Sequence, residues 1–262
     1  MLVAGVVVVL AVMSAAAVLA TTGGPVNPFG QGDPGAAQGQ LAPGVYANDS
    51  VNITQLLVAH RSQLRTEGFL TETTVTSRAN GSVVVTSGQQ VRATSNLTEV
   101  LVEQYRSTAD GRNVSADVYV NETKTLVRMV VGGNESYQVR ERVQSQSVPP
   151  ISRATLTVFG EAAGNFTVEN VTGSDAQRRI TITTTLGGTN GTAPQTDVTM
   201  IVDEQGVIHS LTLVSGQQGS GQVVETRYEL QQLGVESDQR PAWVYEVPSN
   251  STVEPSPVSP RP

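Results

Sequence analysis

Cysteine is absent from the 262-residue chain. Disulfides, a thiol nucleophile and cysteine-based zinc sites are therefore excluded, and any folded domain stands on packing and hydrogen bonding alone. Positive charge is scarce as well. Lys124 is the only lysine beside fifteen arginines, and the net charge is −7. With no dominant basic patch, the chain does not read as a general nucleic-acid binder. The arginine bias suits a GC-rich genome, and the acidic balance with abundant Thr and Val suits a salt-loving archaeon. Imidazole is limited to His60 and His209. No G-x-S-x-G elbow and no P-loop occur. The glycine-rich stretch GQQGSGQ at 216–222 sits between strand-like segments and opens no helix, so it makes no phosphate cradle. A two-histidine metal site would need a carboxylate that the spacing does not supply. Asp203-Glu204-Gln205-Gly206 lacks the alternating oxygens of a calcium loop and reads as a hairpin turn. No metal, no cofactor and no enzymatic activity is expected.

Asparagine in one particular context is plentiful. Twelve asparagines occur, and eleven stand two residues before Ser or Thr with a non-proline residue between. They are Asn48, Asn52, Asn80, Asn96, Asn113, Asn121, Asn134, Asn165, Asn170, Asn190 and Asn250; only Asn27, followed by Pro28, fails. With 51 Ser and Thr in the chain, chance would leave about two such sequons. Turn composition raises that expectation, since Asn, Gly, Ser and Thr all favour turns, but not to eleven. The expectation is an exported protein with several sequons carrying sugar.

The two ends frame a domain. Residues 1–20, MLVAGVVVVLAVMSAAAVLA, hold no charge and are long enough to cross a bilayer as a helix. Residues 1–22 thus form either an uncleaved transmembrane anchor or a secretory signal with Val18-Leu19-Ala20 as the cleavage site. Neither reading has its usual positive flank, because the first cationic residue is Arg61. Residues 23–45 read as a flexible Gly/Pro-rich linker, 46–247 as an extracellular β domain, and 248–262 as a disordered Pro/Ser-rich tail.

Within the domain, ITQLLVAHRSQLRTE at 53–67 places Ile53, Leu56, Leu57, His60 and Leu64 on one helical face. Asn52 is a natural N-cap, Gln55 sits at the reciprocal capping-box position and Gly68 suits the stop. The period then changes to two. Strands are predicted on either side of Ala79-Asn80-Gly81, of Asp110-Gly111 and of Gly133-Asn134, then from FTVENVT through QVVETRYELQQL, with a turn at Asn190-Gly191. Pro149-Pro150 interrupts the pattern, and ISRATLTVFGEAAGN after it reads as a short second helix. His209 is placed on one strand face with Val207, Leu211 and Leu213, and Trp243 is read as packing at the sheet edge.

The expected fold is mainly β with two helices: a long antiparallel curved sheet, an unclosed β-barrel, with helices covering its concave face. A curved sheet wrapped over helices leaves an apolar concavity suited to a small hydrophobic ligand. Leu57, His60 and Leu64 of the helix and Val198, Met200 and Tyr228 of the strands are the candidate lining, although on this apolar face His60 reads first as a hydrogen-bonded structural histidine.

The stretches APGV at 42–45, LLVAHRSQL at 56–64, VDEQGVIHSLTLV at 202–214 and RPAWVYEV at 240–247, in this order of elements, give a resemblance. The chain resembles the LolA/LppX-like lipoprotein-carrier fold, and more specifically haloarchaeal surface lipoproteins of unknown function. That likeness implies an open barrel plugged by helices and a lipid or other apolar ligand. Those lipoproteins carry a lipidated Cys that this chain lacks, so anchoring would fall to residues 1–20, or the protein would be released. The competing reading is a structural or protein-interaction module of the cell surface whose concavity is simply its core.

Overall fold

A computed structural model describes residues 39–142, 166–174, 178–186, 195–216, 221–235 and 240–247. The order of elements is β1 (Gln40–Ala42), β2 (Val45–Tyr46), α1 (Ile53–Glu67), β3 (Phe69–Ala79), β4 (Ser82–Ala93), β5 (Val100–Thr108), β6 (Asn113–Val120), β7 (Lys124–Val131), β8 (Asn134–Glu141), β9 (Thr167–Thr172), β10 (Arg179–Leu186), β11 (Gln195–Asp203), β12 (Ile208–Gly216), β13 (Gln222–Leu233) and α2 (Trp243–Glu246).

Helix α1 forms where the 3.6-residue apolar period predicts it. The Asn52 Oδ1 accepts the Gln55 N–H at 3.0 Å, and the Gly68 N–H closes the last turn on the Leu64 carbonyl at 3.0 Å. The expected capping box is only half made. The Asn52 N–H donates to the Gly44 carbonyl, and the Gln55 Oε1 accepts from the Tyr46 hydroxyl instead. Gly44 allows this approach: at φ +81°, a Cβ there would stand 2.5 Å from the Asn52 carbonyl oxygen. The β1–β2 hairpin thus seals the start of α1, with Ala42 and Val45 buried in the core. Residues 40–45, expected to belong to a flexible linker, instead pair in this hairpin, because the Ala42 and Val45 side chains gain more from burial than from solvation.

Eleven strands make one antiparallel sheet in the order β8-β7-β6-β5-β4-β3-β13-β12-β11-β10-β9. Neighbours are consecutive in sequence except at the β3–β13 seam, and the sheet does not close on itself. Tight turns set the register. Gly132 and Gly133, both at positive φ, join the paired residues Val131 and Asn134. The turn predicted at Gly133-Asn134 thus falls one residue earlier, since two successive positive-φ positions suit glycine best, and Asn134 opens β8.

Helix α1 lies on one sheet face. Ile53 and Leu56 join Ile180, Ile182, Val198, Met200, Leu211 and Tyr228 in one core cluster. Leu64, about two turns beyond Leu56, joins Phe69, Val91, Ala93, Val100 and Val102 in a second. Each such side chain, fully buried, contributes about 1.5–3 kcal/mol before ordering entropy is subtracted.

The second described helix, α2, departs from the expectation that helices cover one face. Trp243 packs on Tyr119 and Leu126, which alternate with the α1-facing Val118 and Val127 and so project from the opposite side of the sheet. Arg128 pins it there: its Nε and Nη2 donate to the Asp117 Oδ2 at 2.9 and 2.6 Å, and its guanidinium carbon lies 5.5 Å from the centre of the Trp243 ring. Trp243 is buried on this face. The helix predicted in ISRATLTVFGEAAGN, the N-terminal apolar run and the C-terminal tail lie outside the described residues. Among the described residues, no helix is long and apolar enough to cross a membrane.

Candidate functional site

The structure gathers five of the six candidate lining residues around one cluster, with Leu64 in the second, but as solid core. His60, Leu64, Val198, Met200 and Tyr228 are each at most 1% exposed, and Leu57 packs half-buried against the same cluster. A side chain with no accessible surface faces no void large enough for water, so these residues wall no cavity under α1. The expectation of an apolar concavity at this place is thereby corrected: α1 sits too close to β10–β13 to leave one.

His60 is held by two partners. Its Nδ1 accepts the backbone N–H of Ile208 at 3.1 Å, which fixes the neutral tautomer and leaves Nε2–H to donate to the Tyr228 hydroxyl at 3.3 Å. The rings meet edge to face with centroids 6.0 Å apart. Burial, reinforced by the nearby Arg61 charge, pushes the imidazole down to about 3. The Tyr228 phenol is pushed far up by burial. Neither group offers a usable proton near neutrality, so the pair is structural.

His209 leaves the face predicted for it. Ile201 pairs with Ser210 and Val202 with Ile208, so His209 is the extra residue of a β-bulge. Its Nε2 lies 2.7 Å from the Asp203 Oδ2, while the Asp203 Oδ1 accepts the N–H groups of Gln205 and Val207 at 3.0 and 2.9 Å. Burial alone would raise the Asp203 pKa. The His209 contact and the Val207 and Gln205 N–H groups outweigh it and hold the carboxyl below its usual range. A strict period of two could not reveal this pair, because the bulge shifts the period by one. Among the described residues, no group of three or more potential metal ligands forms.

Accessible apolar surface lies elsewhere on the α1 face. Val114, Ala116 and Val118 of β6 pair with Val131, Met129 and Val127 of β7. Five of these are half-buried and Val131 is 51% exposed. The period of two is clear at the start of β6, whereas β7 sets Leu126 beside Val127 and Met129 beside Val130 and Val131, so periodicity alone does not assign the patch to one face. An open depression of about 410 Å³ lies at the same end of these strands, but Tyr105, Ser115 and Val130, which line it, alternate with the patch residues and so project from the opposite face of the sheet.

Eight sequon asparagines fall within the described residues. Asn48, Asn52, Asn80, Asn96, Asn113, Asn134 and Asn170 are exposed, and Asn121 is half-buried. Asn165, Asn190 and Asn250 lie outside the described residues. At Asn52 the cap engages Oδ1, whereas a sugar attaches to Nδ2, so the two roles draw on different atoms.

No family model and no curated protein matches the chain. Among solved structures, a DUF1329 family protein from Desulfovibrio piger is similar over 72% of this chain and 93% of its own, at 9% identity and a TM-score of 0.28. A LolA superfamily protein from Nitrosomonas europaea is similar over 73% of this chain and 96% of its own, at 9% identity and a TM-score of 0.24. At these scores neither likeness carries an argument about what this chain binds.

Proposed function

We propose that this chain is an exported, N-glycosylated surface domain, tethered by residues 1–20, that holds a lipid or other apolar ligand on the uncovered part of its α1 face. The observation that carries the reading is the contiguous, partly accessible row of Val114, Ala116, Val118, Val127, Met129 and Val131 on two adjacent strands. Apolar side chains gathered on one face and left partly accessible suit an aliphatic chain. The absence of a recognisable catalytic arrangement in the sequence favours a binding protein over an enzyme. Lipid extraction and mass analysis of the protein purified from its membrane provides the test. A stoichiometric apolar molecule is the expected result, and Met129→Glu should abolish its recovery. An empty, stable protein would overturn the ligand reading.

A second reading, a structural or protein-interaction module with no small ligand, is favoured by one observation: the core directly beneath α1 is closed. It predicts an empty domain and a protein partner at the cell surface. The tether is tested separately. Carbonate washing should leave the protein in the membrane pellet, and a soluble product beginning near Thr21 would replace the anchor with a cleaved signal.

A further inference from the structure

We propose that a glycan on Asn170 guards the open β9 edge of the sheet against pairing with a second copy of the chain. The inference rests on the reading that the sequons carry sugar. An open sheet has two edges, here β8 and β9, and among the described residues no strand pairs with the outer side of either. An unpaired edge presents a row of backbone donors and acceptors to any passing strand.

The two edges are defended unequally. Strand β8, NESYQVRE, carries Glu135, Arg140 and Glu141. Strand β9, TVENVT, carries only Glu169, and its neighbour β10, RITITTTL, has one charge at its first residue. Both segments are rich in β-branched residues and contain no Pro or Gly, the composition that favours strand-to-strand stacking. Val171 is 42% exposed on this edge. A register shift opposite Thr181 and Ile182 bends β9 slightly, which blunts the edge without removing it.

Asn170 stands where a guard is needed. The other seven described sequon asparagines occupy a helix cap, turns, connections or the first residue of a strand. Asn170 alone lies inside a strand, and that strand is an edge. It is exposed, as is Thr172, the second determinant of its sequon. An incoming strand would have to approach to about 4.8 Å, a spacing that a bulky, hydrated glycan on the same strand obstructs.

The test uses the full chain, made in an N-glycosylating host and kept in mild detergent. Peptide mapping and sedimentation velocity are run on the unaltered chain, Asn170→Gln, Thr172→Ala, and Thr172→Ala with Val171→Lys. Circular dichroism checks that each variant is folded. The expected result is an occupied Asn170 and a monomeric unaltered chain. Both sequon variants should self-associate at concentrations at least tenfold lower, and the added lysine should restore the monomer. Occupied Asn170 with monomeric Asn170→Gln and Thr172→Ala would overturn the guard and leave the glycoprotein reading intact. Sugar at other sequons with Asn170 bare would do the same. Bare peptides at every sequon would overturn both.

Discussion

The ring of Tyr105 in β5 lies across its cross-strand partner Gly88 in β4, so that a Cβ on residue 88 would stand 2.2 Å from the Tyr105 Cε1. The aromatic ring supplies the covering that glycine lacks and shields the strand backbone from water. Although Tyr105 is 48% exposed, Tyr105→Ala should lower stability by about 1 kcal/mol. Gly88→Ala should destabilise the unaltered protein by displacing the ring, yet stabilise the Tyr105→Ala variant, where the space is free. Urea unfolding of the four-member cycle reads this change of sign.

Acid should weaken the fold through His60. Its folded pKa of about 3 lies below the ordinary value of 6.5, so the unfolded chain takes up a proton that the folded chain refuses. This contribution is fully present above pH 6.5 and is lost on acidification toward pH 3, at about 1.4 kcal/mol per pH unit. His60→Asn keeps an acceptor near Ile208 and cannot titrate. It should be less stable at neutral pH but show a flatter dependence between pH 6 and about 4.5, measured by urea unfolding.

Asp203 supplies a separate acid-sensitive step. Its folded pKa is depressed, so its contribution is present above the ordinary carboxylate value and is lost as pH falls through the folded one. Asp203→Ala leaves two backbone N–H groups and His209 without their acceptor, a loss of about 2–4 kcal/mol. Asp203→Asn retains an acceptor for the turn and should lose roughly half as much. Thermal unfolding of both variants at neutral pH distinguishes them.

On the opposite face, Trp243→Ala should cost about 3–5 kcal/mol and expose Tyr119 and Leu126. Arg128→Lys should cost less but still be felt, because an ammonium lacks the planar fork that reaches Asp117 while lying over an indole. Limited proteolysis should cut near residue 240 in the Trp243 variant before the sheet is attacked.

Local order was legible in the residues, and long-range order was not. The cap at Asn52, the stop at Gly68 and the turns at Asn80-Gly81 and Asp110-Gly111 follow from conformational preferences within a few residues. The open antiparallel sheet follows from the alternation of its strands. The crossing of α2 to the other face does not, because nothing near Tyr119 and Leu126 in sequence shows that Trp243 packs on them. His209 departs from its expected place for a different reason: as the extra residue of a bulge it falls out of the alternation that Leu211 and Leu213 keep. The candidate lining residues are core, and Leu64 belongs to a different cluster from Val198, Met200 and Tyr228, because periodicity reports which side chains turn inward and not which of them meet or how closely they fit.

Within the eleven-stranded sheet of the described residues, the β3–β13 seam is the one strand pairing between strands that are not consecutive in sequence. On either side of it lies a meander, β3 to β8 and β9 to β13, in which every pairing is between consecutive strands. Such a molecule is divisible. A chain severed between β8 and β9 would leave each meander covalently whole, and the pieces could find one another along β3 and β13. The same partition orders the folding reaction: hairpins first on each side, then a single slow meeting at the centre that turns two ribbons into one sheet.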